Sequence, residues 1–182
     1  MACFSITKKF GLPLCLALTG CSSLLYHPTH HQYFDPLKLG LKPDVVTFAS
    51  EDGVRLSGWY FQNRDHKLPK ALVVFFHGNA ENMTSHYTTL VFLLAHEIDF
   101  FIFDYRGYGL SEGHPTPRGT VDDGIAALRW ARFHITDVLR KEVPIVVFGQ
   151  SLGGAIALKS VIEAKDRIPI GEVIVDSTFS SY

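Results

Sequence analysis

Cysteine is nearly missing from this chain: there are three in 182 residues, and Cys3, Cys15 and Cys21 all fall within the first 21. No disulfide framework and no cysteine-based metal site can therefore organise the body of the molecule. An excess of charge is lacking as well. Seventeen basic residues face 18 acidic ones, for a formal net charge of −1, and no basic stripe interrupts the sequence, so a nucleic-acid partner is not expected. Histidine is missing from the last quarter: His27, His30, His31, His66, His77, His86, His96, His114 and His134 all precede residue 151. Signs of disorder are absent too, since 47% of the residues are hydrophobic and 13% aromatic. The length suits one domain with a substantial core.

The cysteines sit in a segment with its own logic. Lys8 and Lys9 precede an apolar run from Phe10 to Leu18, broken only by Gly11 and Pro13, and Leu18-Thr19-Gly20-Cys21 follows. Basic, then apolar, then small is the order of a signal peptide, here residues 1–20, and the run is too short to span a bilayer. Leu-Thr-Gly-Cys resembles a bacterial lipobox. The resemblance implies lipid attachment at Cys21, a membrane association through that lipid and a bacterial cell-envelope location, with Ser22 compatible with the outer membrane. The alternative is ordinary secretory cleavage beside an incidental cysteine. Cleavage would remove Cys3 and Cys15, and lipidation would occupy Cys21, leaving no free thiol in an oxidising compartment. Residues 21–43 are rich in His, Pro and Tyr without periodicity and read as a tether, with residues 44–182 as the domain. The histidines of the tether lack companion metal donors at suitable spacing and read as polar linker.

Within the domain, apolar segments alternate with helical patterns. Val45, Val46 and Phe48, a Glu51-Asp52-Gly53 turn, and alternation through Val54, Leu56, Gly58 and Tyr60 predict an antiparallel hairpin. Ala71 to Phe76 and Ile98 to Phe103 are apolar on both faces, as central parallel strands are. Met83 to Glu97 predicts one amphipathic helix. Thr120 to Asp123 resembles a capping box opening another. The loop Asp104 to Gly113 carries three glycines from Gly107 onward at a strand's carboxyl end, where open α/β sheets place their sites. Its Asp104 and Arg106 read either as substrate ligands or, the preferred reading, as a mutual ion pair.

The stretch around which this pattern turns is Val143 to Ala164. Apolar residues lead into Gly149-Gln150-Ser151-Leu152-Gly153, after which Ala155, Ile156, Leu158, Val161 and Ile162 recur at helical spacing. A serine at the change of period sits on a sharp strand-to-helix turn, its hydroxyl projecting above the sheet edge. Flanking glycines remove Cβ atoms that would collide, and the helix start aims free N–H groups at whatever the hydroxyl attacks. The N–H of Leu152 is one donor for a developing oxyanion, and the glycine-containing strand end His77-Gly78-Asn79-Ala80 is placed to supply another. His77, at that strand end, reads as shaping the turn rather than as a base.

HGNAENM, DYRGYGLSEGHPTP, GQSLGG and DSTFSSY, in this order, resemble the α/β-hydrolase superfamily, and its serine-aminopeptidase-like branch of membrane-associated hydrolases in particular. The resemblance implies an α/β fold, a mostly parallel sheet with helices on both faces, about six of eight strands being present. It implies Ser151 as nucleophile, Leu152 and Asn79 as oxyanion donors, and hydrolysis of an ester or related acyl bond of a small-molecule or lipid-like substrate, with no cofactor and no metal. In this superfamily the order is serine, acid, histidine, yet no histidine follows Ser151. Asp176 is either an orienting carboxylate or, preferred, a strand-end residue. The expectation is a chain carrying half of an active site, with impaired hydrolysis. The alternative is an envelope lipoprotein that keeps the scaffold without turnover.

Overall fold

The computed structural model describes residues 25–65 and 67–179. The expected signal peptide, the lipid site Cys21 and the last three residues lie outside the described residues. Six strands form one sheet: β1 (Asp44–Ala49), β2 (Arg55–Phe61), β3 (Ala71–Phe76), β4 (Ile98–Phe103), β5 (Ile145–Gln150) and β6 (Glu172–Asp176), in the order β1-β2-β4-β3-β5-β6. β1 and β2 form the antiparallel hairpin, β2 runs antiparallel to β4, and β4, β3, β5 and β6 are mutually parallel. The α-helices among the described residues are α1 (Met83–His86), α2 (Pro117–Phe133) and α3 (Leu152–Ala164).

Alternation along the strands builds two apolar layers. Leu72, Val74 and Phe76 of β3, with Phe101 and Phe103 of β4, pack beneath α2 and α3 through Leu128, Ala131, Ile156 and Ala157. Val73 and Phe75, with Phe100 and Ile102, face the other way onto Met83, Tyr87, Leu90 and Leu94. Both layers bury strand side chains almost completely, which is why β3 and β4 read as unbroken apolar runs. β6 differs. It is an edge strand among the described residues, and Val173, Ile174 and Val175 are 38%, 48% and 40% exposed, where the sequence pattern suggests a strand covered on both faces.

Chain direction sets the site. From β3 the chain turns through residues 83–96 to β4 on one side, then crosses by α2 to β5 on β3's other side. The order therefore reverses between β3 and β5, the switch point at whose carboxyl ends open α/β sheets place their sites.

Three local expectations are corrected. Met83 to Glu97 is not one helix: α1 lasts four residues, and 3-10 turns Tyr87–Thr89 and Val91–His96 follow. Thr88, Thr89 and Val91 are poor helix formers, and Thr88 Oγ1 donates to Ser85 O at 2.8 Å, the local bonding that competes with a helix. The buried face survives the change. α2 starts at Pro117 rather than near Thr120, because Thr116 Oγ1 caps it by accepting from Gly119 N at 3.0 Å. Proline suits the first helical position, where its missing N–H costs nothing. Finally, the segment read as a tether packs onto the domain over its described part: Tyr26 is 2% exposed within the α2/α3 layer, and Phe34 N donates to Thr84 O at 3.2 Å.

Candidate active site

Ser151 alone separates β5 from α3, with φ 52° and ψ −119°, a backbone state that residues with a Cβ adopt only under constraint. Hydrogen bonds impose it. Ser151 N donates to Asp176 O at 2.8 Å, Gly154 N donates to Ser151 O at 3.0 Å, and Thr178 Oγ1 donates to the same carbonyl at 2.9 Å. The glycines keep the corner clear: a Cβ on Gly149 would lie 2.6 Å from Gly154 Cα, and one on Gly153 would overlap the carbonyl oxygens of Phe76 and His77. The start of α3 thus rests directly on the end of β3. Leu152 opens α3, so its N–H has no acceptor within the helix.

The neighbouring turn is His77-Gly78-Asn79-Ala80. A Cβ on Gly78 would stand 3.7 Å from Gln150 O, so the turn lies alongside the serine corner, and the structure brings Ser151, Leu152 and the Asn79 turn to one edge. The Asn79 carboxamide is already engaged: Nδ2 donates to Leu25 O at 2.6 Å, while Oδ1 accepts from His27 N, Ala80 N and the Tyr108 hydroxyl at 3.0, 2.9 and 2.9 Å. The Asn79 side chain is therefore committed within the fold.

His77 is fully buried. Its Nδ1 lies 2.8 Å from Gly78 O, and since a carbonyl only accepts, Nδ1 carries the proton. Nε2 stands 3.4 Å from Asp104 Oδ1, and Tyr105 OH donates to His77 O at 3.1 Å. The ring braces the turn from behind. The expected mutual ion pair of Asp104 and Arg106 is not formed; each is committed to other partners in the fold. Asp104 Oδ1 accepts from Met83 N at 2.7 Å. Arg106 forms ion pairs with Asp123 of α2 and with Asp52 of the β1-β2 turn, both at 2.8 Å. Asp176 works through its carbonyl at the corner, while its carboxylate accepts from Ser177 Oγ at 2.9 Å. His114 is exposed on the loop before α2. Among the described residues no three His, Cys, Asp or Glu side chains converge, and no helix is long and apolar enough to cross a membrane.

Sequence reasoning missed His86 and Gln150. His86 stacks on His77 with centroids 5.1 Å apart and has its Nε2 3.4 Å from Ala80 O, while the Gln150 side chain approaches the same Gly78 turn, its Oε1 3.8 Å from where a Gly78 Cβ would stand. Gln150 was findable as the residue before the serine. His86 was not, because its place depends on α1 ending at once.

A mostly parallel sheet whose carboxyl edge carries a serine at a strained strand-to-helix corner is the α/β-hydrolase arrangement. The chain belongs to the family described as serine aminopeptidase, S33, which it matches over residues 67–180. It is 41% identical over 141 residues to the uncharacterized protein YfhR of Escherichia coli K12, covering 76% of this chain and 48% of that one. It is 33% identical over 151 residues to the alpha/beta hydrolase domain-containing protein WAV2 of Arabidopsis thaliana, covering 80% and 46%. Among solved structures, the Pyrococcus furiosus esterase Pf2001 superposes with a TM-score of 0.67 at 25% identity over 84% of this chain and 57% of that one. The chain spans about half the length of the curated relatives it matches.

A pH dependence follows from His86. Burial, then the neighbouring His77, lower its pKa from 6.5 to about 4. The folded value lies below the unfolded one, so the unfolded chain binds more protons between these values, and stability falls as pH drops from about 6.5 toward 4. This group is expected to remove about 2–3 kcal/mol over that window. Urea denaturation across the pH range should show the deficit in the parent and a correspondingly flatter profile in His86→Gln. Parallel profiles would contradict the assignment.

Proposed function

We propose that the chain carries the nucleophile half of a serine hydrolase acting on an ester or related acyl bond. The observation that carries this reading is the positive φ of Ser151 at a corner where Gly153 rests on the end of β3. In the proposed reaction Ser151 Oγ attacks the acyl carbon, and the N–H groups of Leu152 and Asn79 receive the carbonyl oxygen as it becomes anionic. The serine proton passes to a base, the alcohol or equivalent group leaves with a proton, and water then releases the acid from the acyl-enzyme. No step requires a metal or organic cofactor. The likeness to an esterase of known structure supports an acyl substrate; the family's description as a peptidase does not choose between ester and peptide.

The base is the weak point. No histidine occurs in residues 152–182, and His77 is buried and committed to its turn. An unassisted serine retains only the catalysis of the oxyanion site and binding, about 10³- to 10⁴-fold over water. The commitment of His77 to its own turn also fits a second reading, an envelope lipoprotein that retains the scaffold without turnover. A fluorophosphonate probe separates the two. Slow, stoichiometric labelling of the folded 182-residue chain, abolished in Ser151→Ala, is the expected result. A folded parent that takes no label would favour the scaffold, and label surviving in Ser151→Ala would remove Ser151 as nucleophile.

We also propose lipid attachment at Cys21 and residence in the bacterial cell envelope, on the order of basic, apolar and small residues before that cysteine. Cys21 precedes Leu25 by four residues, a reach of at most about 14 Å, and Leu25 O is bonded to Asn79. A lipid there would hold the serine corner close to a bilayer, which favours lipid-like acyl substrates. Palmitate labelling in cells, lost in Cys21→Ser, is the expected outcome; retained labelling would refute it.

A further inference from the structure

The segment Leu25 to Phe34 lies across the carboxyl edge of the sheet and bonds to two loops at once. On one side Leu25 O and His27 N hold the Asn79 carboxamide at 2.6 and 3.0 Å. Thr29 O and His31 O receive Asn82 Nδ2 at 2.9 and 2.8 Å, and Tyr33 N donates to Thr84 Oγ1 at 3.0 Å. On the other side Gly109 N donates to Thr29 O at 2.9 Å, and His30 Nδ1 donates to Gly109 O across 2.6 Å. Tyr26, buried, pins the near end with its hydroxyl 3.3 Å from Thr120 Oγ1. Tyr108, from the second loop, completes the ring of donors around Asn79 Oδ1 at 2.9 Å.

The turn is strained where it is held. Ala80 and Glu81 both have positive φ, 60° and 55°, a conformation that non-glycine residues keep only when their surroundings impose it. Asn79 and Asn82 flank that pair, and both are gripped by the same amino-terminal segment.

We propose that residues 25–34 are a positioning strap for the oxyanion turn, with the Asn79 carboxamide as its peg. The carboxamide fixes the direction of the main-chain N–H and does not itself bind the acyl oxygen. Asn79, Tyr108 and Asn82 are therefore positioning residues, and the inference rests on the reading of the Asn79 turn as half of the oxyanion site.

Amide hydrogen exchange tests the hold and probe labelling tests its purpose, both on the full chain. In Asn79→Ala, and less severely in Tyr108→Phe, exchange across residues 78–84 should accelerate about tenfold or more, the worth of one or two lost hydrogen bonds, while α2 and α3 keep the parent's protection. Fluorophosphonate labelling of Ser151 should slow at least fivefold in step. Unchanged exchange in the turn, or acceleration spread evenly through α2 and α3, would overturn the strap. Local acceleration with labelling at the parent's rate would overturn its purpose, because the turn would then not face the reacting group. A parent that takes no label sinks the hydrolase reading and the positioning role with it; exchange still reports separately whether the strap holds the turn.

Discussion

The contact on which this structure depends is main chain against main chain: the start of α3, at Gly153, rests on the carbonyl oxygens that end β3. Only a residue without a Cβ permits that approach. Because β3 and β5 are hydrogen-bonded neighbours, with Phe76 opposite Gly149, the approach locks the serine corner to the turn that follows β3. The backbone strain at Ser151 is then a consequence of packing rather than a local choice. Two well-buried strands, a glycine-lined corner and a helix start leave the chain between Gln150 and Leu152 one way to go.

Around that contact the buried polar groups are arranged to hold loops. Asp104 takes the first N–H of α1, Arg106 is divided between Asp123 and Asp52, and Asn79 gathers four partners from three parts of the chain. Groups of this kind are costly to bury unpaired, so each pairing restricts the loops to one arrangement. Asp99 serves the far edge similarly, accepting from the Tyr60 hydroxyl and from Asn63. The loops at the carboxyl edge of the sheet are consequently held in place beside the serine corner, and β6, with its exposed Val173, Ile174 and Val175, is the least covered strand among the described residues.

Much of this was legible in the sequence, for identifiable reasons. β3, β4 and β5 could be read because covered parallel strands are apolar without alternation, the β1-β2 hairpin because its residues alternate on either side of a Gly53 turn, and the Ser151 corner because its glycines and its change of period are local. The helix 83–97 misled because apolar spacing records which face is buried, not whether the backbone between is α or 3-10; Tyr87, Leu90 and Leu94 are buried as the helix required. The Arg106 partnership was hidden because Asp123 lies 17 residues away on a different element. Least legible was the role of residues 25–34. Their bonds run from main chain to Asn79, Asn82 and Gly109, and main-chain partners leave no mark on composition or spacing.

The central claim is that packing forces residue 151 into a conformation a side chain resists, and that this strain presents the hydroxyl. Its direct measure is the stability of Ser151→Gly against Ser151→Ala by chemical denaturation. Strain at such a site costs about 1–3 kcal/mol, and glycine's extra chain entropy costs about 0.5–1 kcal/mol. The account predicts that the glycine variant is the more stable by about 1 kcal/mol, reversing the usual order. An alanine variant as stable as the glycine one, or more so, would contradict it.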